Sequence, residues 1–138
     1  MNPSLFADLI VAFHLCYVSV VVFGLFFIIL GGALRWRIVR NFWFRAVHLS
    51  MILIVVFEAL FGITCPLTDL EYGLRIAAGQ HGASDASFIA RLIHKLIFYD
   101  FPPIVFTIGY CIFGAVVIIT WLLVPPLLPW KRNDVMSH

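Results

Sequence analysis

The residues best suited to chemistry in this chain sit inside or beside long apolar runs. Glu58 is a carboxylate within the second run, followed by Cys65-Pro66 and the polar stretch Thr68-Asp-Leu-Glu71. His14 and Tyr17 share a face of the first run, and His94 and Asp100 flank the approach to the third. Ionisable groups at membrane depth are costly to keep there, so each is a functional candidate. Imidazoles and carboxylates in this combination can ligate a metal ion or the iron of haem b, serve a quinone, or relay protons. Glu58 or Asp100 as base, with a histidine as acid, would suit an enzyme acting on a lipid-soluble substrate. The plainer reading of His14, Tyr17, Glu58, His94 and Asp100 is a buried hydrogen-bond network that pins three helices together.

Depth decides which of these residues can meet. At roughly 1.5 Å per residue, His14 lies about nine residues inside the outer end of the first run, and Glu58 about six inside that of the second. Both fall in the outer half of a bilayer. His48 lies near the opposite interface, on the order of 10 Å from the level of His14. A haem held by those two would need strong helix tilt, so His14 with His94 is the better-matched pair. For His48 the simpler account is snorkelling or a helix–helix hydrogen bond. Cys65 is the cysteine nearest a water interface and has no evident partner thiol, so inert packing is expected there.

Composition requires the membrane. Of 138 residues, 63% are hydrophobic and 12% charged, where soluble domains run roughly 45–50% apolar and about 25% charged. A net charge of +2 without a basic run speaks against nucleic acid. The cysteines Cys16, Cys65 and Cys111 are odd in number and widely spaced, which argues against a disulfide framework or a zinc ribbon. Phosphate loops, HExxH, dinucleotide fingerprints and nucleophile elbows are absent.

The pattern predicts a single integral membrane domain over residues 1–138, all-α, with spans near residues 5–34, 42–64 and 104–124. Asn2-Pro3 opens the first span. That span lacks the positive amino end of a signal peptide and reads as a retained anchor. The connection Arg35-Trp-Arg-Ile-Val-Arg40, with Arg45, sets orientation, because basic loops stay cytoplasmic. The amino terminus is then outside and the carboxyl terminus, with Lys131 and Arg132, inside. The tryptophans Trp36, Trp43, Trp121 and Trp130 fall at the inner boundary. Residues 66–100 form an outer interfacial segment. Thr68-x-x-Glu71 fits a capping box opening a helix from about Asp69 to Ala78, with Glu71 and Arg75 paired four apart. Residues 87–99 carry one apolar stripe and form an amphipathic helix too short to span. The alternative is a bundle of four membrane-embedded helices.

In order along the chain come Phe13-His14, then Asn41-Phe-Trp-Phe-Arg45-Ala-Val-His48, Glu58, Gly62 and Cys65-Pro-Leu-Thr-Asp-Leu-Glu71. His94, Phe98-Tyr-Asp100-Phe-Pro, and Phe106-Thr107 with Tyr110 follow. This series resembles the DUF2784 family (DUF, domain of unknown function) of small bacterial membrane proteins, from about Ala7 to Pro125. The resemblance implies a bacterial inner-membrane protein and supplies no activity. It draws attention to His48, Cys65 and Glu71 besides the five residues above.

Three functions compete. The small size favours an accessory subunit of a larger membrane complex, respiratory or otherwise redox-active, in contact with lipids and other membrane subunits. The alternatives are a haem- or metal-binding redox protein and a small membrane enzyme.

Overall fold

The computed structural model describes residues 2–80, 88–97 and 101–128, with the backbone alone for 88–91. It is an all-α membrane protein, and three of its helices are long and apolar enough to cross a bilayer.

Helix α1, Pro3–Ala33, begins where Asn2 caps it by accepting the Ser4 amide and Pro3 takes the first turn. Its 31 residues reach about 46 Å, well beyond the roughly 30 Å of bilayer hydrocarbon. One end must therefore project past the apolar layer or tilt within it. Its buried stripe runs Ala7, His14, Val21 and Ile28, with Leu25 beside it. The step of seven is that of a helix winding left-handed around its neighbours. α1 closes in a Schellman turn, with Trp36 N–H bonded to the Gly31 carbonyl and Arg35 N–H to that of Gly32. Arg35 takes the left-handed position there (φ 58°), where glycine is usual.

A 3-10 turn, Ile38–Arg40, leads into α2, Phe42–Phe61. The Asn41 side chain caps α2 by accepting from the amides of Trp43 and Phe44. Gly62 ends it in the left-handed conformation, at Phe61 rather than near residue 64, so Glu58 lies in the last turn.

α3, Pro66–Ala77, starts three residues before the expected first residue, Asp69. Pro66 is preorganised for the first helical position, which makes Cys65 the N-cap and puts Thr68 inside the helix. Glu71 then reaches forward to Arg75 rather than back to a cap. α4, Phe88–Ile97, has 10 residues, about 15 Å, which is too short to cross. α5, Pro103–Leu123, opens on its prolines. Asp100, the expected cap for this helix, lies outside the described residues.

α1 and α5 run parallel, with α2 antiparallel between them. Val21, Leu25, Ile52 and Val117 form the shared core. Gly114 lets α5 approach α2, since a Cβ there would meet Val56 at 3.0 Å. At the end where α1 and α5 finish and α2 begins, the Leu127 amide bonds to the Arg40 carbonyl at 2.7 Å and Arg40 Nε to the Pro125 carbonyl at 3.3 Å. Arg35, Arg37, Arg40 and Arg45 mark this as the basic end. α3 packs along the far half of α1.

Candidate functional site

The register of α3 on α1 can be read from two contacts. Arg75 meets Asp8 at 3.2 Å, and Cys65 stands near Tyr17. α3 therefore runs back along α1, and Thr68 and Glu71 fall at the level of His14. All three are buried: His14 is 8% exposed, Thr68 2% and Glu71 2%. A polar seam thus lies between a membrane helix and a short amphipathic one. Its carboxylate, Glu71, accepts from Arg75 Nε at 2.7 Å, and Arg75 also donates to Gln80 and Asp8. The Glu71 carboxylate holds the Arg75 guanidinium above its ordinary pKa, so it is a cation at every pH the protein meets. The Thr68 hydroxyl is buried with no partner among the described residues.

At the foot of the seam Tyr17, Glu58, Cys65 and Tyr110 come together. Glu58 lies within hydrogen-bond reach of Cys65, Tyr17 within the electrostatic range of both, and Tyr110 near Cys65. The Tyr17 hydroxyl donates to the Met51 carbonyl at 2.8 Å. Tyr110 also lines a groove of about 440 Å³ between α4 and α5, with Ile93, Ile97, Phe101 and Phe106. Its walls are apolar, with Tyr110 as the polar side chain among them.

Burial pushes the Cys65 thiol above its ordinary value of 9.0, and the Glu58 carboxylate adds to this while the Leu67 and Thr68 amides oppose it. A thiol harder to ionise folded than unfolded leaves the folded state at full strength below pH 9.0 and weakens it as pH rises through the folded pKa. Alkylation requires the thiolate. In a Cys16→Ala, Cys111→Ala variant, Cys65 is expected to label more slowly than a free thiol at pH 8 and to keep gaining rate above pH 9.0, where a free thiol levels off; labelling at the free-thiol rate would refute its protection.

The structure thus joins Tyr17 and Glu58 through Cys65 and sets His14 beside them in the α3 seam. His94 is exposed on α4, and Asp100 lies outside the described residues. Among the described residues no group of three histidine, cysteine or acidic side chains is arranged to hold a metal.

A second polar group occupies the basic end. His48 is 2% exposed and its Nε2 lies 2.8 Å from the Val21 carbonyl, a bond between α2 and α1. One turn earlier, Arg45 is also 2% exposed, with its Cζ 5.6 Å from the Trp121 ring centre. Arg45 Nη1 and Nη2 and His48 Nδ1 have no hydrogen-bond partner among the described residues. Leaving a charge buried and uncompensated costs on the order of several kcal/mol. In the sequence Arg45 stands as a marker of topology and as one residue of the family series. Its spacing of three from His48, which puts both on one face, was the available signal. Nothing local pointed to Arg75 meeting Asp8.

Residues 4–126 match the family model described as Protein of Unknown function (DUF2784). No curated protein and no solved structure matches the chain.

Proposed function

Starting from a chain that belongs to the DUF2784 family, we propose that it serves as an accessory subunit of a larger membrane complex in the bacterial inner membrane. One observation carries this reading. Each of the three spans buries only 17% of its most apolar window within the chain. The remaining faces must be covered by lipid or by other membrane helices. Several polar side chains are meanwhile bonded inside the chain: His48 on Val21, Tyr17 on Met51, and Arg75 on Glu71 and Asp8. Such bonds hold a rigid unit in shape. The basic end belongs on the cytoplasmic side, since short arginine-rich connections are retained there, so the amino terminus faces out.

A second reading is supported by the groove at Tyr110. It would take a lipid-soluble molecule whose polar end reaches the Glu58–Cys65 pair, as substrate or cofactor. One experiment addresses both: native mass spectrometry of the protein extracted in mild detergent from its own membranes. A stoichiometric assembly with other subunits is expected. A bare monomer or homo-oligomer would overturn the subunit reading. A monomer carrying one lipid-soluble adduct, lost in a Tyr110→Ala variant, would establish the second.

A further inference from the structure

We propose that Arg45 and His48 form a binding site for the phosphate-bearing headgroup of an anionic phospholipid at the basic end of the bundle. The two side chains are buried to the same degree, each 2% exposed, and lie one turn apart on α2. Their unpartnered atoms are chemically distinct. Arg45 Nη1 and Nη2 are donors on a permanent cation. The Val21 carbonyl can only accept, so His48 Nε2 carries the ring proton of the neutral imidazole, and Nδ1 is left as an acceptor. The site therefore asks for an anion with a hydroxyl alongside it. A phosphodiester headgroup ending in glycerol provides both. The planar fork of a guanidinium matches two phosphate oxygens.

Nothing described in this chain supplies the anion. Asp8, Glu58, Asp69 and Glu71, the described carboxylates, all lie toward the opposite end. The level also suits a lipid. Trp43, 68% exposed, and Trp121 flank Arg45 on α2 and α5, and such aromatic residues collect at the headgroup boundary. Exposed arginines at the same end, Arg35 and Arg37, would draw an anionic surface toward the site. The half-buried Trp121 indole lies over the guanidinium and packs edge-on against Phe42 at 6.1 Å. It is the cover that a headgroup must turn aside. The site is separate from the Tyr110 groove and does not depend on the subunit reading.

The test uses the full chain in a neutral detergent, with phosphatidylglycerol or inorganic phosphate added. Thermal unfolding and native mass spectrometry are the readouts, and Arg45→Met, Arg45→Lys and Arg37→Gln are the variants. The wild type is expected to keep one phosphatidylglycerol and to unfold at a higher temperature with it. Arg45→Met should lose that gain and retain the lipid at least tenfold more weakly, whereas Arg37→Gln should change retention less than threefold. Without lipid, Arg45→Met should be as stable as wild type or more so, because it removes a buried uncompensated charge. Should Arg45→Met fail to fold, Arg45→Lys keeps the charge but loses the fork, and is expected to bind at least threefold more weakly. If inorganic phosphate alone reproduces the gain in wild type and not in the Arg45 variants, the site stands as a phosphate site and the lipid assignment falls. If phosphatidylglycerol stabilises Arg45→Met as much as wild type, or retention follows Arg37 instead, the proposal is overturned.

Discussion

Replacing Arg75 by Met is expected to loosen α3 from α1 while the three spans stay folded. The guanidinium donates to Glu71, whose side chain is 3% exposed, through Nε at 2.7 Å, and to Asp8, whose side chain is 68% exposed, through Nη2 at 3.2 Å. These contacts are unequal. A hydrogen bond to a buried charged group contributes about 1.5–3 kcal/mol, whereas an exposed ion pair contributes about 0–1 kcal/mol. Arg75→Met therefore costs about 2–3 kcal/mol of α3 docking, with burial of Glu71 as the larger part. Asp8→Asn should stay within about 0.5 kcal/mol. Hydrogen exchange across residues 66–77 reads the difference, because local opening follows the free energy of that unit. Arg75→Met should speed exchange there about 30- to 140-fold, since 1.4 kcal/mol is about a factor of 10. The double variant Glu71→Gln, Arg75→Met should recover most of the protection, since removing both charges leaves none stranded. If the double variant exchanged as fast as the single one, the charge on Glu71 would not be what makes Arg75 necessary.

The second large effect concerns the crossing of α1 and α2. A methyl group on Gly24 would lie 2.7 Å from His48 Cδ2 and 2.9 Å from Nε2. The ring cannot retreat without giving up its bond to the Val21 carbonyl. Two opposed terms set the sign of Gly24→Ala. Helix propensity favours alanine by up to about 1 kcal/mol. Overpacking costs about 1–3 kcal/mol, and loss of a hydrogen bond within the membrane about 0.6–1.7 kcal/mol. The net expectation is a loss of about 1–3 kcal/mol in reversible unfolding by mixed detergents. In a His48→Ala background the clash is gone, and the same substitution should be neutral or favourable by up to about 1 kcal/mol. An equal cost in both backgrounds would show that Gly24 is needed for some reason other than the imidazole. Gly31 faces a comparable contact with Val39, a residue fully buried beneath it. Close approach of neighbouring chain therefore recurs along this face of α1, first by α2 and then by the 3-10 turn.

Much of the architecture was legible without coordinates, because its causes are local. A long apolar run must become a helix in lipid, which satisfies its own backbone groups. α1, α2 and α5 were readable for that reason. Asn41 punctuates a helix through its side chain, and Pro66 and Pro103 through their fixed backbone. Even so, Thr68-x-x-Glu71 misled, because two signals competed. The fixed φ of Pro66 won the start of α3, and Glu71 was turned from a cap partner into the buried half of an ion pair.

The candidate sites depended on distances that no local pattern contains. Asp8 and Arg75 are 67 residues apart, and His48 and Val21 are 27 apart. Depth in the bilayer puts His14 and Glu58 in the same outer half, since rise per residue is constant along a helix. It could not say that Cys65 would join Glu58, because the bend after Gly62 sets where α3 begins. Arg45 is the sharpest case. Counted along the chain, it is one more arginine beside a basic loop; once α5 lays Trp121 over it, it is a buried cation with two nitrogens unpartnered among the described residues. Composition tells which groups a membrane protein carries, but burial depends on which neighbours cover them, and only the packed helices settle that.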